Sequence, residues 1–192
     1  MDGESMNKKP EILVFAGPNG SGKSTIAKMA RIVGAYVNAD EIKKALHCSD
    51  LEAAQKAEQM REEFLINREN FSFETVLSTD RNLLLLQRAK ENGYFIRGVY
   101  VLTKNSHINL LRIKNRVRLG GHNVDANKVI SRYTKALALI PEIVKVCDIL
   151  HIYDNSAQPF RIFKKRKTVY YYWENDFWNK EKIQKLTGVE LP

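Results

Sequence analysis

The chain has 192 residues, 44% of them apolar and 28% charged, the balance of one soluble globular core and too short for two full domains. No apolar run approaches a membrane span, and the polar opening MDGESMNKKP has no signal-peptide core, so a cytoplasmic protein with no membrane association is expected. A formal charge of +9 admits nucleic acid or small polyanions as ligands without choosing between them, and the two cysteines, Cys48 and Cys147, allow no disulfide framework or metal spacing and read as free buried thiols.

Residues 1–10 read as a flexible lead, and 11–192 as a single domain without repeats or linkers. The stretch EILVFAGPNGSGKST, Glu11 to Thr25, opens with a strand-like apolar run and passes into a helix. Gly17-x-x-x-x-Gly22-Lys23-Ser24 is the nucleotide phosphate-binding loop pattern: glycines turn backbone N–H groups toward phosphate oxygens, and the helix offers its N-terminus to the same anion. Gly17, Asn19, Gly20, Ser21, Gly22, Lys23, Ser24 and Thr25 are therefore the expected ATP-binding residues. Lys23 would reach the β- and γ-phosphates, and Ser24 would place its hydroxyl in a Mg²⁺ shell. Ile26, Met29, Ala30 and Val33 have the spacing of one buried helical stripe, with Gly34 closing the helix.

Ala35 to Val37 forms a short second strand leading into Asn38-Ala39-Asp40-Glu41. A carboxylate just past a parallel strand sits where open α/β sheets bind ligands, so Asp40 faces the γ-phosphate region or, alternatively, caps the next helix. Ser49 and Glu52 have capping-box spacing for a longer helix whose narrow stripe is Ala53, Ala57, Met60 and Phe64. Phe71 to Thr79 is a third strand, and Glu74 within it is costly to bury unless it meets a ligand or a cation. A helix from near Asp80 to Gly93 and a fourth strand, Tyr94 to Leu102, follow.

Residues 105–119 form a helix with Leu110, Ile113 and Val117 on one side and Arg112 and Arg116 on another. It ends at Gly120-Gly121-His122, after which Asp125 caps a helix carrying Ile130, Tyr133, Leu137, Ile140 and Val144, with a possible break at Pro141. Arg116, Arg118 and Arg132 thus bracket a Gly-Gly hinge, which makes 112–132 a candidate lid whose arginines neutralise charge on a transferring phosphoryl group. His122 is a titrating loop residue able to hydrogen-bond the closed lid. Asp148 to Ser156 is the fifth strand and its exit loop, where Asn155 could meet an adenine. Phe160–Ile162 and Val169–Trp173 flank the basic run Lys164 to Lys167 as a β-hairpin whose charged turn guards a sheet edge, and Trp173, Phe177 and Trp178 anchor a terminal helix.

The alternation of strand and helix predicts a three-layer αβα sandwich of the P-loop NTPase type, with a five-stranded, mostly parallel sheet plus the C-terminal hairpin and helix. The series GPNGSGKST, NADE, FETVLS, Arg112-x-x-x-Arg116-Val117-x-Leu119-Gly120-Gly121-His122-Asn123-Val124, Ile130-x-Arg132-Tyr133 and Tyr153-Asp154-Asn155-Ser156 resembles the zeta-toxin family of P-loop kinases, and most of all its short single-domain members. The resemblance implies an ATP- and Mg²⁺-dependent kinase that phosphorylates the 3′-hydroxyl of the sugar of UDP-N-acetylglucosamine, and an antitoxin protein as a possible partner. It implies that Asp40 is the general base or orients the hydroxyl, that Glu74, with Arg118 and His122, binds substrate, and that Arg116 and Arg132 are lid arginines. Larger toxins carry an arginine where this chain has Ser78, and short members a proline where it has Asp125. Two other classes compete. An ABC-type ATPase would need an LSGGQ-like signature, and LGGHN is the nearest run; a nucleic-acid-binding or end-phosphorylating protein would rest on the charge and the basic hairpin alone.

Overall fold

The computed structural model describes residues 9–121 and 123–192. Seven strands form one sheet in the order β2-β3-β1-β4-β5-β6-β7. The first five, β1 (Glu11–Ala16), β2 (Ala35–Val37), β3 (Phe71–Thr75), β4 (Phe95–Leu102) and β5 (Ile149–Asp154), run parallel. β6 (Phe160–Arg166) and β7 (Val169–Tyr172) are the hairpin expected beside the sheet, but β6 pairs antiparallel with β5 and extends the sheet to seven strands. Lys164 and Lys165 belong to β6 rather than to its turn, and buried Lys165 donates to the Val144 and Lys145 carbonyls at 2.6 and 3.2 Å. Those carbonyls sit in the last turn of α7 (Ile140–Val146), so this lysine binds a helix C-terminus instead of guarding an edge.

The two faces of the sheet are unequal. Ile12, Val14 and Ala16 of β1 join Phe71, Phe73, Ile96, Tyr100, Leu150 and Ile152 in the large core. It is closed by α3 (Asp50–Ile66), α4 (Arg81–Glu91), α7 and α8 (Lys180–Thr187). The alternate residues Leu13 and Phe15 pack on Ala27 of α1 (Lys23–Met29) in a small cluster on the other face. Strand periodicity of two therefore divides one hydrophobic run between two layers.

Several local expectations change. α1 stops at Met29, so its buried apolar residue is Ala27, and Met29 stands 77% exposed; Gly34 lies in the following turn and does not end the helix. On α6 (Ala126–Ala138) Val129 and Ala136 are buried and Ile130 is exposed, and the chain restarts as α7 with Pro141 in its first turn. Cys147 is buried but Cys48 is only half-buried. The Ser49–Glu52 capping box is formed, and Asp125 caps α6 by accepting from Lys128 N at 3.0 Å. No helix among the described residues is long and apolar enough to cross a membrane.

Candidate active site

Between β1 and α1 the backbone turns through residues 17–22. Gly17 has φ of +136°, and a Cβ there would lie 2.0 Å from the Val101 carbonyl oxygen; Gly22 has φ of +97°, and its Cβ would meet Asn155 Nδ2 at 2.2 Å. Neither position tolerates a side chain. The loop is braced from the neighbouring strand ends. Asn109 of α5 (Ser106–Arg118) donates to Asn19 O at 2.7 Å, and Asn155 Nδ2 donates to Ser21 O at 2.7 Å. Arg112 adds donations to Ser21 O at 3.4 Å, Asn155 O at 2.6 Å and Ser156 O at 3.2 Å. Asn155 is thus a strut of the phosphate loop in this structure, its amide turned to the backbone and not to an open base site.

Lys23 opens α1 and is 9% exposed, with Nζ donating to Pro18 O at 3.0 Å. Burial pushes its pKa down to about 8; the carboxylates of Glu74 and Asp40 pull it back up, and Arg116 adds to the depression. Next to it, the Ser24 hydroxyl donates to Glu74 Oε2 at 2.9 Å. Glu74 also accepts from Asn38 Nδ2 at 3.1 Å and from the Tyr36 hydroxyl. Burial, and then the bond to Glu74, raises the Tyr36 pKa, so the phenol stays a donor. Glu74 therefore meets three neutral donors, with the charge of Lys23 also acting on it, and these offset its burial.

Asn38 does a second job. Its Oδ1 accepts from Asp40 N at 2.8 Å and caps α2 (Ala39–Leu46). Asp40 is consequently the second residue of the helix and not its cap, and its exposed carboxylate is left for the cleft. One side chain, Asn38, fixes Glu74 against the start of α2.

A cleft of about 1000 Å³ opens at the C-terminal ends of β1, β2 and β3, where sheets of this kind reverse strand order. Asn19, Gly20, Gly22, Lys23, Ser24, Thr25, Asp40, Glu74, Arg116 and Arg132 all line it, while Gly17 and buried Ser21 shape the loop beneath. Arg118 stands exposed outside its wall, because two residues from Arg116 is about 200° round a helix of 3.6 residues per turn. His122 lies outside the described residues. Sequence reasoning gave no role to Tyr36 or Asn38 and placed Arg112 only on the same helix side as Arg116. Alternation along β2 and β3 puts Tyr36, Asn38, Ser72 and Glu74 on one face, a signal that appears once the register Tyr36↔Ser72 is known. Beyond Glu74, Leu77 adopts φ of +52° with its N–H donating to Thr75 Oγ1 at 3.0 Å, which turns residues 76–79 into the cleft wall.

The sequence model of the zeta toxin family matches residues 2–172. The chain belongs to the zeta toxin family. This zeta-toxin chain is 31% identical over 127 residues to an uncharacterized protein of Haemophilus influenzae, an alignment covering 63% of this chain and 91% of that one. Its fold is shared with the PezAT chromosomal toxin–antitoxin system of Streptococcus pneumoniae, with a TM-score of 0.54 and 17% identity over 84% of this chain and 72% of that one. It is shared also with AvrRxo1-ORF1:-ORF2 solved with ATP, with a TM-score of 0.66 and 14% identity over 96% of this chain and 65% of that one. The zeta-toxin chain is thus a nucleotide-binding P-loop phosphotransferase of kinase type.

Proposed function

We propose that the protein transfers the γ-phosphoryl group of ATP to a hydroxyl of a small acceptor, with the 3′-hydroxyl of the sugar of UDP-N-acetylglucosamine, or of a related nucleotide sugar, as the acceptor. The observation that carries this is an exposed carboxylate, Asp40, in the same cleft as the phosphate loop and two arginines of the hinge region. Asp40 takes the proton of the acceptor hydroxyl as its oxygen bonds to the γ-phosphorus and the bond to the ADP oxygen breaks. Lys23, Arg116 and Arg132 balance the charge on the transferring group, and Glu74 holds the acceptor beside Asp40. Thr25 and the backbone of the loop hold the triphosphate, and Asn155 serves the nucleotide by keeping that loop in place. Arg118, exposed beyond Arg116, would reach the acceptor only on closure, and His122 is a further acceptor-binding residue in this reading.

The oxygens of Ser24, Glu74 and Asp40 beside a phosphate cradle are a hard donor set that suits Mg²⁺. Ser24 would hold that ion, which supplies neutralisation of the phosphate oxygens when bound. Because PezAT is a toxin–antitoxin system, an antitoxin chain is the partner to be sought for this protein.

Incubation with labelled ATP and a panel of UDP-sugars, nucleosides and oligonucleotides tests the reading, with label expected on the UDP-sugar. Asp40→Asn should keep ATP affinity and lose transfer by about 10²–10⁴-fold, the usual worth of a general base. Transfer at the wild-type rate would remove Asp40 from the chemistry.

A further inference from the structure

On α3 the buried positions fall every four residues, Ala53, Ala57, Arg61 and Leu65, so an arginine occupies a place where the pattern supplies an apolar side chain. Arg61 is only 7% exposed, yet it lines the same cleft as the phosphate loop and Asp40. Its guanidinium carbon lies 5.3 Å from the centroid of the Phe73 ring, and its Nε has no hydrogen-bond partner. Glu58 and Glu62 favour its charged form through space, but each carboxylate makes its ion pair with another arginine, Glu58 with Arg81 at 3.0 Å and Glu62 with Arg88. Burial lowers the Arg61 pKa, but guanidinium remains charged at any working pH. Ala53, Ala54 and Ala57 form the adjoining wall and leave room for a ligand to approach. A guanidinium withdrawn from water with an orphaned donor is costly for the fold alone, and the fork geometry matches an oxyanion.

We propose that Arg61 is an anion-binding residue in the acceptor half of the cleft, and that it takes a phosphate or carboxylate group carried by the acceptor molecule. The proposal rests on the kinase reading for its claim that the acceptor sits here, but the anion site itself can be tested without that reading. A neutral alcohol offers the buried Nε donor only a weak partner; an acceptor bearing an oxyanion meets it and is thereby oriented with its hydroxyl toward Asp40.

Calorimetry on the protein loaded with a non-hydrolysable ATP analogue, which fills the phosphate loop, tests the site directly with pyrophosphate and, separately, malonate. At least one should bind, at least tenfold more weakly in Arg61→Gln and with partial recovery in Arg61→Lys, while analogue affinity stays constant. Whichever anion binds identifies phosphate or carboxylate as the group. If neither binds the wild type, or Arg61→Gln binds it equally, the site does not exist. Should Arg61→Gln fail to fold, Arg61→Lys carries the comparison, with weakened anion binding at unchanged analogue affinity as the expected result and unchanged anion binding as the contrary one. Kinetics supply the second arm: Arg61→Gln should raise KM for UDP-N-acetylglucosamine about tenfold, and leave KM for uncharged N-acetylglucosamine and for ATP alone. Equal changes for both acceptors would mean that Arg61 only supports the wall. If the wild type phosphorylates neither sugar, it is the acceptor reading that fails, and the calorimetry still decides Arg61.

Discussion

Lys23 carries a charge that its burial holds at a disadvantage. Unfolded, its ammonium would titrate near 10.5, but burial brings the folded value to about 8 despite Glu74 and Asp40. Between those values the unfolded chain binds a proton that the folded one has released, so stability rises as pH climbs from 8 to 10.5 and is lost as pH falls back through 8. Ligand affinity should move the opposite way, because the triphosphate needs the ammonium. The Kd for ATP is expected to be flat up to pH 8 and then to weaken toward tenfold per pH unit, whereas kcat at saturating ATP holds to higher pH, since bound phosphate restores the lysine's proton. A binding curve flat to pH 10 would show that Lys23 does not meet the phosphates. Glu74 illustrates the complementary case: with Ser24, Tyr36 and Asn38 all donating to it, the carboxylate is solvated by neutral groups.

On α5, Arg112 and Arg116 stand one turn apart on the same side, yet their surroundings divide their work. Arg112 ties the phosphate loop to the exit of β5 through three carbonyls, whereas Arg116 is exposed at the cleft mouth. Arg112→Ala should cost about 1.5–3 kcal/mol of stability, the worth of hydrogen bonds to a charged group, and weaken ATP binding. Arg116→Ala should slow transfer more than it weakens ATP binding; denaturant and ATP titrations beside single-turnover rates would separate them, and matching profiles would refute the division. That division was invisible in the spacing, which shows only that the two share a face. The phosphate loop was legible because its glycines, lysine and serine are contiguous and their roles follow from local backbone geometry. The Ser49–Glu52 box and the Asp125 cap were legible for the same reason. Asn38 and Asp40 were not, since both residue types cap helices and only the coordinates show which oxygen reaches the free N–H. Cross-strand links such as Tyr36 to Glu74 depend on register, and register is a property of two segments 38 residues apart.

Across the whole molecule, the sheet is what joins the cleft to the C-terminal segment. Buried Asp154 at the end of β5 accepts from Trp178 Nε1 at 2.8 Å and from Ser156 N at 2.8 Å, and Ser156 O in turn receives Arg112. Residues past the end of the family match thereby support the loop that supports the phosphate site. Toward this edge the sheet face shared with α1 becomes polar and basic. His151 of β5 lies opposite Lys164 of β6, next to Arg161, with Arg97 of β4 on the same face. Burial, followed by the charges of Arg161, Lys164 and Arg97, pushes the His151 pKa down to about 4, and an Arg161 N–H directed at Nδ1 from 3.4 Å requires a neutral ring. The unfolded chain takes up this proton near 6.5 and the folded one only near 4, so stability falls as pH drops through that window. Full burial would make the shift worth about 3 kcal/mol at 1.36 kcal/mol per unit, and screening at a half-exposed ring reduces it to about 1 kcal/mol. His151→Asn should therefore lose less stability than the wild type between pH 7 and pH 4.5, by about 1 kcal/mol or 2–4 °C in Tm. Carboxylates elsewhere weaken both proteins alike, so the difference between the two slopes is the quantity to measure. Parallel slopes would mean that the basic edge imposes no proton penalty and that His151 takes up its proton in the fold as it does in the unfolded chain.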